Sequence, residues 1–395
     1  MPTTSALRST GFVGGVLATA FAVALGYGLI VPVLPQYARE LGATTATAGV
    51  VVAVFALVRM LASGPAGALV DRLGARPNVA TGLVIVAASS AATALVDTSG
   101  GLIAVRGAGG IGSALFITGI GQHVTRTVPM AERGRANGML QGAFLLGGAS
   151  GPIVGGLLVE RAGVRAPFLV YAGTLAIAAV VTLRFMTGGA DGASRPRAHG
   201  VELASLRSLL RSRAFVAVLV VHLAVAWASV GVRTIGVPLF AAEVLELQAG
   251  SIGLALTVSA VVQGIVLWPS STFADRRGRL LPTRIALVVS AVTIAGLAVV
   301  HDLSSLIVWL ALQGAAGGVA ATVPATIVGD LAPPGAEGRA AAAMNVARDV
   351  GAIVGALATG AIAQAVSFDA AFVTSAAVLA VALVGTAVMR ETLVR

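Results

Sequence analysis

The sequence predicts an all-α membrane protein with twelve transmembrane helices in two six-helix halves. Three observations carry that prediction: a shortage of charge, a series of long apolar stretches, and a self-similarity at one offset. Of 395 residues, 57% are hydrophobic and 11% charged, against about 25% charged in a soluble globular protein. Such a chain cannot cover its own surface with polar groups, so lipid must cover it. The 50 glycines fit the same reading, because packed membrane helices use small residues that soluble helices avoid.

A membrane-crossing helix needs roughly 20 apolar residues. Between charged or Pro/Gly-rich punctuation, the first half holds span 1 (11–35), span 2 (47–70), span 3 (78–96), span 4 (101–124), span 5 (137–159) and span 6 (166–186). The second holds span 7 (214–240), span 8 (249–270), span 9 (281–300), span 10 (304–328), span 11 (340–364) and span 12 (367–389). Span 1 lacks a small-residue cleavage site after a short apolar core, so it reads as a retained helix, not a signal peptide. The halves are then 1–186 and 214–395. The Arg-rich stretch 187–213 joins them as a linker with a short surface helix at 201–212.

The net charge is +10, and all 26 basic residues are Arg. With the N-terminus inside, 19 Arg fall on the cytoplasmic side, 3 (Arg39, Arg161, Arg165) outside and four within spans. That is the positive-inside bias; it predicts both termini in the cytoplasm and makes a nucleic-acid partner unnecessary. The chain has no Cys, which excludes disulfides and thiolate metal sites.

The repeat gives the architecture. At an offset of 204, Gly49 falls on Gly253, Asp71 on Asp275, Arg72 on Arg276, Gly74 on Gly278, Gly147 on Gly351 and Gly151 on Gly355. Span 1 is expected to need an offset of 206, placing Pro32 on Pro238, Phe21 on Trp227 and Tyr27 on Arg233. Two parallel six-helix repeats around a midplane site is the plan of a secondary transporter.

Particular stretches also carry a resemblance. "GALVDRLGAR" (67–76) resembles the loop 2–3 signature of the major facilitator superfamily, and "STFADRRGR" (271–279) repeats it. "GASGPIVGG" (148–156), with Gly147 before it, is similar to the span 5 antiporter signature, through Gly147, Gly151, Pro152, Gly155 and Gly156. "LIAVRGAGGIGSA" (102–114) resembles the span 4 signature with Arg106 in place, and "GYGLIVPVLP" (26–35) the end of span 1 in the twelve-span drug:proton antiporter branch. Two departures stand out: Gly109 where the span 4 signature has Gln, and Ala75 where the loop often has Arg. The resemblance covers the whole chain. It implies a transporter and no enzyme: proton-driven efflux of a small, moderately apolar compound, of the kind that confers multidrug resistance. It also implies a monomer in the plasma (inner) membrane. An importer or uniporter of the same fold, or a sensor or scaffold that does not transport, are the alternatives.

The resemblance assigns the loop residues a gating role. Asp71, Arg72, Gly74 and Arg76, with Asp275, Arg276 and Gly278 as the weaker counterpart, form a latch. In the family, the Asp71 position meets the N-terminus of span 11, where the macrodipole favours negative charge. A plain topology-and-capping role is the alternative. In span 5, Gly147, Gly151 and Gly155 recur every four residues and offer a face for close helix approach.

Charge inside the spans marks the remaining candidates. Arg59, Arg106, Arg233 and Arg348 each cost roughly 2.5–3.5 kcal/mol at the bilayer centre, so each needs a wet cavity or a partner. Asp349 is the one carboxylate well inside a span. It reads either as a proton carrier, with burial and an Arg pulling its affinity in opposite directions, or as half of a fixed ion pair. Phe21, Tyr27 and Trp227 are candidate cavity linings or core residues, and His222 reads as structural. "GAGGIG" in span 4 has no strand before it and fails as a phosphate loop. No cofactor or metal is expected; the proton gradient is the expected energy source, with a small molecule and lipid as partners.

Overall fold

In a computed structural model, residues 15–186, 209–332 and 336–391 are described. They are helical, with no strand among them. The predicted linker lies almost wholly outside the described residues, as does the surface helix up to 208; residues 209–211 are helical.

Span 1 is two helices, Ala18–Ile30 and Leu34–Glu40, bent by 41°. Pro35 opens the second one, where a missing N–H costs nothing. Spans 2 to 6 are Thr45–Leu73, Ala75–Thr93, Ser99–Thr127, Arg133–Ala162 and Ala166–Phe185. Span 7 runs as Arg213–Trp227, a π-helical segment Ala228–Gly236, and Val237–Glu243. Spans 8 to 12 are Ala249–Arg277, Leu280–Gly296, Leu303–Leu331, Glu337–Ala365 and Phe368–Gly385. By length and apolarity, ten of the described helices suffice to cross a membrane, eleven with the bent pair. Span 3 is the remainder: 19 residues long, it opens with Arg76, Pro77 and Asn78 and carries Ser89 and Ser90.

The chain folds as two compact units that do not coincide with the sequence halves. Among the described residues, one unit takes 15–43, 54–186 and 248–254; the other takes 44–53, 209–247 and 255–391. Each unit thus includes the opening turns of one long helix, span 8 or span 2, that belongs by sequence to the opposite half.

Within the units the repeat is visible in the packing. Gly151 faces Gly28, and a Cβ added at residue 151 would stand 2.4 Å from the Gly28 Cα. Gly355 and Gly231 make the corresponding approach, with a Cβ at 231 standing 2.5 Å from the Gly355 oxygen. Tyr37 packs on Phe168 with ring centroids 5.2 Å apart, and Phe240 on Phe372 at 5.4 Å. These pairs correct the expected offset for span 1. Gly28 and Gly231, Pro35 and Pro238, and Tyr37 and Phe240 are all 203 apart. Tyr27, next to Gly28, therefore falls on Val230, not Arg233. Before the π segment the register shifts by one more, since Gly147 meets the Phe21 oxygen and Gly351 the Leu223 oxygen, so Phe21 falls on Leu223, not Trp227. Only one residue is inserted in the following loop, where Gly42 (φ 77°) and Glu246 (φ 53°) both take positive φ. The sequence match misled because it aligned Pro238 with the proline in the bend of span 1 rather than with the one that opens its second helix.

Candidate functional site

The loop after span 2 is built as its glycine requires. Gly74 has φ 85° and Gly278 φ 98°, a backbone region that a Cβ resists. Around the first turn, Asp71 Oδ1 accepts a hydrogen bond from Arg126 Nη2 of span 4 at 2.8 Å. Arg76 donates to the Leu183 oxygen of span 6, and Arg72 is exposed. Asn78, which the sequence reading passed over, is buried and donates to the Gly74 oxygen at 2.6 Å and the Leu69 oxygen at 3.3 Å. One amide side chain thereby joins the end of span 2 to the start of span 3.

The second turn is held by different residues. Glu391 accepts from the Arg279 N–H at 2.9 Å and the Leu280 N–H at 3.2 Å, serving two orphan donors at the start of span 9. Arg279 pairs with Asp330 at the end of span 10. Asp330 is the repeat counterpart of Arg126 and Arg279 that of Ala75, so each turn is tied by an ion pair, with the charge on the span 4 or span 10 side reversed and its partner drawn from a different position. This accounts for the departure at Ala75. The cation there, Arg279, belongs to the second half, and Arg126 supplies the charge in the first. Asp275 lies in the helical end of span 8 and Arg276 is exposed.

The glycine face of span 5 lies on span 1. A Cβ at Gly147 would stand 2.4 Å from the Phe21 oxygen, and one at Gly155 2.1 Å from the Leu29 oxygen. Pro152 cannot donate to the carbonyl of Gly148. That freed oxygen faces Gly28, at 2.9 Å from where its Cβ would be. In the second half, Gly351 meets Leu223 and Gly355 meets Trp227 and Gly231, with Ala356 in place of the proline.

Arg106 is 3% exposed. Its guanidinium carbon lies 4.6 Å from the centroid of the Phe55 ring, a cation–π contact in a low-dielectric setting. Among the described residues its Nε has no hydrogen-bond partner. Gly109, one turn on, explains the missing Gln: a Cβ there would stand 2.6 Å from Ser89 Oγ and 3.3 Å from the Phe55 ring. The space for an amide is occupied by the aromatic that carries the Arg.

The other span charges are placed separately. Arg59 is half-buried on span 2. Arg233 lies in the π segment and donates to Gln263 Oε1 on span 8 at 2.8 Å. Gln263 is the counterpart of Arg59, so each half holds one cation near the middle of its second helix or against it. On span 11, Arg348 is exposed and Asp349 half-buried; neither is without a partner. His222 is buried and its Nδ1 lies 2.8 Å from the Val218 oxygen, one turn back along its own helix, which is a structural role. Trp227 Nε1 donates to Ser375 Oγ at 3.0 Å, tying span 7 to span 12. Phe21 and Tyr27 are 38% and 40% exposed.

A set of long apolar helices, internally repeated and carrying arginines within its spans, defines a multi-pass membrane transport protein. The chain belongs to the Major Facilitator Superfamily, whose family model matches residues 16–250 and 223–392. Its members move small molecules across membranes and are not enzymes. An uncharacterised MFS-type transporter of Methanocaldococcus jannaschii is 33% identical over 163 residues, 41% of this chain and 42% of that protein. The quinolone resistance protein NorA of Staphylococcus aureus is 32% identical over 161 residues, 41% of each. The chain thus aligns with about two-fifths of the length of these curated relatives. Among solved structures, a POT family transporter in complex with a thioalcohol-conjugated peptide superposes with TM-score 0.81 at 13% identity, covering 96% of both chains. A bacterial homologue of the lysosomal transporter Spinster superposes with TM-score 0.78 at 14% identity, covering 95% of both. At such identities the likeness is one of fold.

Proposed function

We propose that the protein is a proton-driven exporter of small, moderately apolar compounds. It works by alternating access as a monomer in the plasma membrane, with both termini cytoplasmic and no cofactor beyond the proton gradient. The observation that carries the reading is the span 5 face. The residues that resemble the antiporter signature, Gly147, Gly151, Pro152 and Gly155, are those that bring its backbone onto span 1. The local likeness to a quinolone resistance protein supports the same direction of transport.

Asp349 is the proton carrier in this reading, since it is the carboxylate placed mid-helix in span 11. Asp71 is the latch residue; its pairing with Arg126 keeps the carboxylate in position at the turn. Arg59, Arg106, Arg233 and Arg348 favour a neutral or anionic substrate over a permanent cation, because low dielectric strengthens repulsion. The test is transport in proteoliposomes under an imposed pH gradient, after a ligand screen on the purified protein. Wild type concentrates substrate against its gradient, and Asp349→Asn binds substrate but does not. Gradient-independent equilibration by wild type indicates a uniporter and overturns the coupling.

A further inference from the structure

Two contacts outside the site described above are related by the repeat. Glu160, at the end of span 5, accepts a hydrogen bond through Oε1 from the backbone N–H of Gly250 at 2.7 Å. Gln364, at the end of span 11, accepts through Oε1 from the N–H of Ala46 at 3.0 Å. Glu160 and Gln364 are 204 apart, and so are Gly250 and Ala46. Both donors are the second residue of a long helix, span 8 or span 2, whose first N–H groups have no partner within the helix.

The backbones beneath these caps touch in the same pairs. A Cβ at Gly156 would stand 2.3 Å from the Ala249 oxygen, and one at Gly360 2.7 Å from the Thr45 oxygen. One turn deeper, a Cβ at Gly253 would stand 2.2 Å from the Pro152 oxygen, and one at Gly49 2.5 Å from the Ala356 oxygen. Each set lies inside one compact unit, and each joins a helix of one sequence repeat to the opening turns of a helix from the other. Span 2 enters at Thr45 and reaches the Asp71 turn at its other end, so both seams lie at the end of the helices away from that turn.

We infer that Glu160 and Gln364 are paired positioning residues for transport: they hold two equivalent seams whose release opens the face opposite the Asp71 turn. The inference rests on the transporter reading. Movement of the repeats must separate the helices that each seam joins, and close backbone contact and these two caps lie across them. The caps are unequal. Glu160 presents a carboxylate to a helix N-terminus, where a charged acceptor is stronger and the macrodipole adds to it. Gln364 presents a neutral amide oxygen with the same reach. The span 5 seam is therefore the stronger of the two.

The chain has no Cys, so single reporters can be placed at the equivalent seam positions, Ser251→Cys and Thr47→Cys. The measurement is the labelling rate by a membrane-impermeant maleimide in intact cells and in inverted vesicles. Glu160→Ala is expected to raise labelling at residue 251 about fivefold and Gln364→Ala at residue 47 about twofold, both modest because the caps are exposed. Glu160→Gln, which keeps an acceptor, falls between wild type and Glu160→Ala. The diagnostic is the crossed measurement. Glu160→Ala also raises labelling at residue 47, which it does not touch, because the seams open together. A rise confined to residue 251 means local fraying and overturns the inference, as does no rise in either reporter. Gly253→Leu, which wedges the same seam through its backbone contact, must give the crossed effect too. Labelling needs no transported substrate, so failure of the export reading leaves this result legible by itself.

Discussion

The two halves of this protein keep the same backbone contacts but few of the same charges, among them Asp71/Asp275, Arg72/Arg276 and Arg135/Arg339. Gly151 on Gly28 and Gly355 on Gly231 are one contact made twice, as are Tyr37 on Phe168 and Phe240 on Phe372. The polar side chains diverge at matching positions. Arg126 became Asp330, Glu160 became Gln364, Arg59 became Gln263, Arg106 became Leu310, and Leu145 stands where the second half has Asp349. Where backbones touch, a single methyl is felt, because packing is already at crystal density. Where a side chain reaches into a gap, several residue types can serve, and a duplicated gene can assign the two copies different tasks. Shape is the shared inheritance of the halves, and the asymmetric charges are where transport must be sought.

The largest expected effect tests the shared part. Gly151→Leu and Gly355→Leu each drive a side chain into backbone, and overpacking of this kind costs about 3 kcal/mol or more. Both variants should lose folded protein to a similar degree, read as the monodisperse fraction and melting temperature in detergent. Gly148→Leu is the control, since a Cβ there meets nothing within 4 Å. A severe effect at one glycine and none at the other would break the equivalence of the halves.

The second prediction addresses a charge that only the first half holds. Phe55→Leu removes the ring beneath Arg106, and a desolvated cation–π contact is worth about 2 kcal/mol. Melting temperature should fall, and Phe55→Trp should restore it. Gln263→Leu removes the acceptor of Arg233, a charged hydrogen bond of comparable size, about 1.5–3 kcal/mol before discounting partial exposure. If Phe55→Leu leaves the melting temperature unchanged, the aromatic is not what holds Arg106.

The spans, the repeat, the tight turns at Gly74 and Gly278 and the small-residue face of span 5 were all legible in the sequence. Each is written in local spacing, in the period of the helix or in a residue type that one backbone conformation requires. Partners were not. Nothing near Asp71 names Arg126, 55 positions on, and nothing near Arg279 names Glu391; both follow from which helix ends the packing brings together. The register of span 7 was misread because a proline was matched to the wrong member of a Pro32/Pro35 pair, and its π turn has no sequence mark. Asn78 escaped notice because an amide in a first turn reads as ordinary capping.

A smaller effect tests whether polarity at the turn is free. Asp71→Arg alone places two cations together, and Arg126→Asp alone two anions. The double exchange rebuilds the pair in the polarity that Arg279 and Asp330 use. With 27% and 50% exposure of the side chains, the coupling should be about 0.5–1 kcal/mol. Stability should return in the double variant. Transport should not, because the latch reading requires a carboxylate at residue 71. Recovery of both would reduce the pair to a structural tie.

The smallest effect concerns two helix caps at matching positions. Thr98 accepts from the Gly101 N–H at 3.1 Å at the start of span 4, and Asp302 accepts from the Ser305 N–H at 2.7 Å at the start of span 10. Asp302 also receives the Ser305 hydroxyl, and these hydrogen bonds, the backbone one first, hold its carboxyl below the usual carboxylate range. A group depressed on folding stabilises the folded state above its unfolded value, and that contribution is lost as pH falls through its folded value. Thr98 does not titrate in that window. Amide exchange at Ser305 should therefore accelerate, relative to Gly101, as pH drops below the ordinary carboxylate range, once the intrinsic pH dependence common to both is divided out. Asp302→Asn should remove the pH dependence while keeping most of the cap, since Asn serves nearly as well at this position. A ratio that stays flat across that range would show that the carboxylate and the hydroxyl cap their helices equally, and that at this position the halves have not diverged in energy.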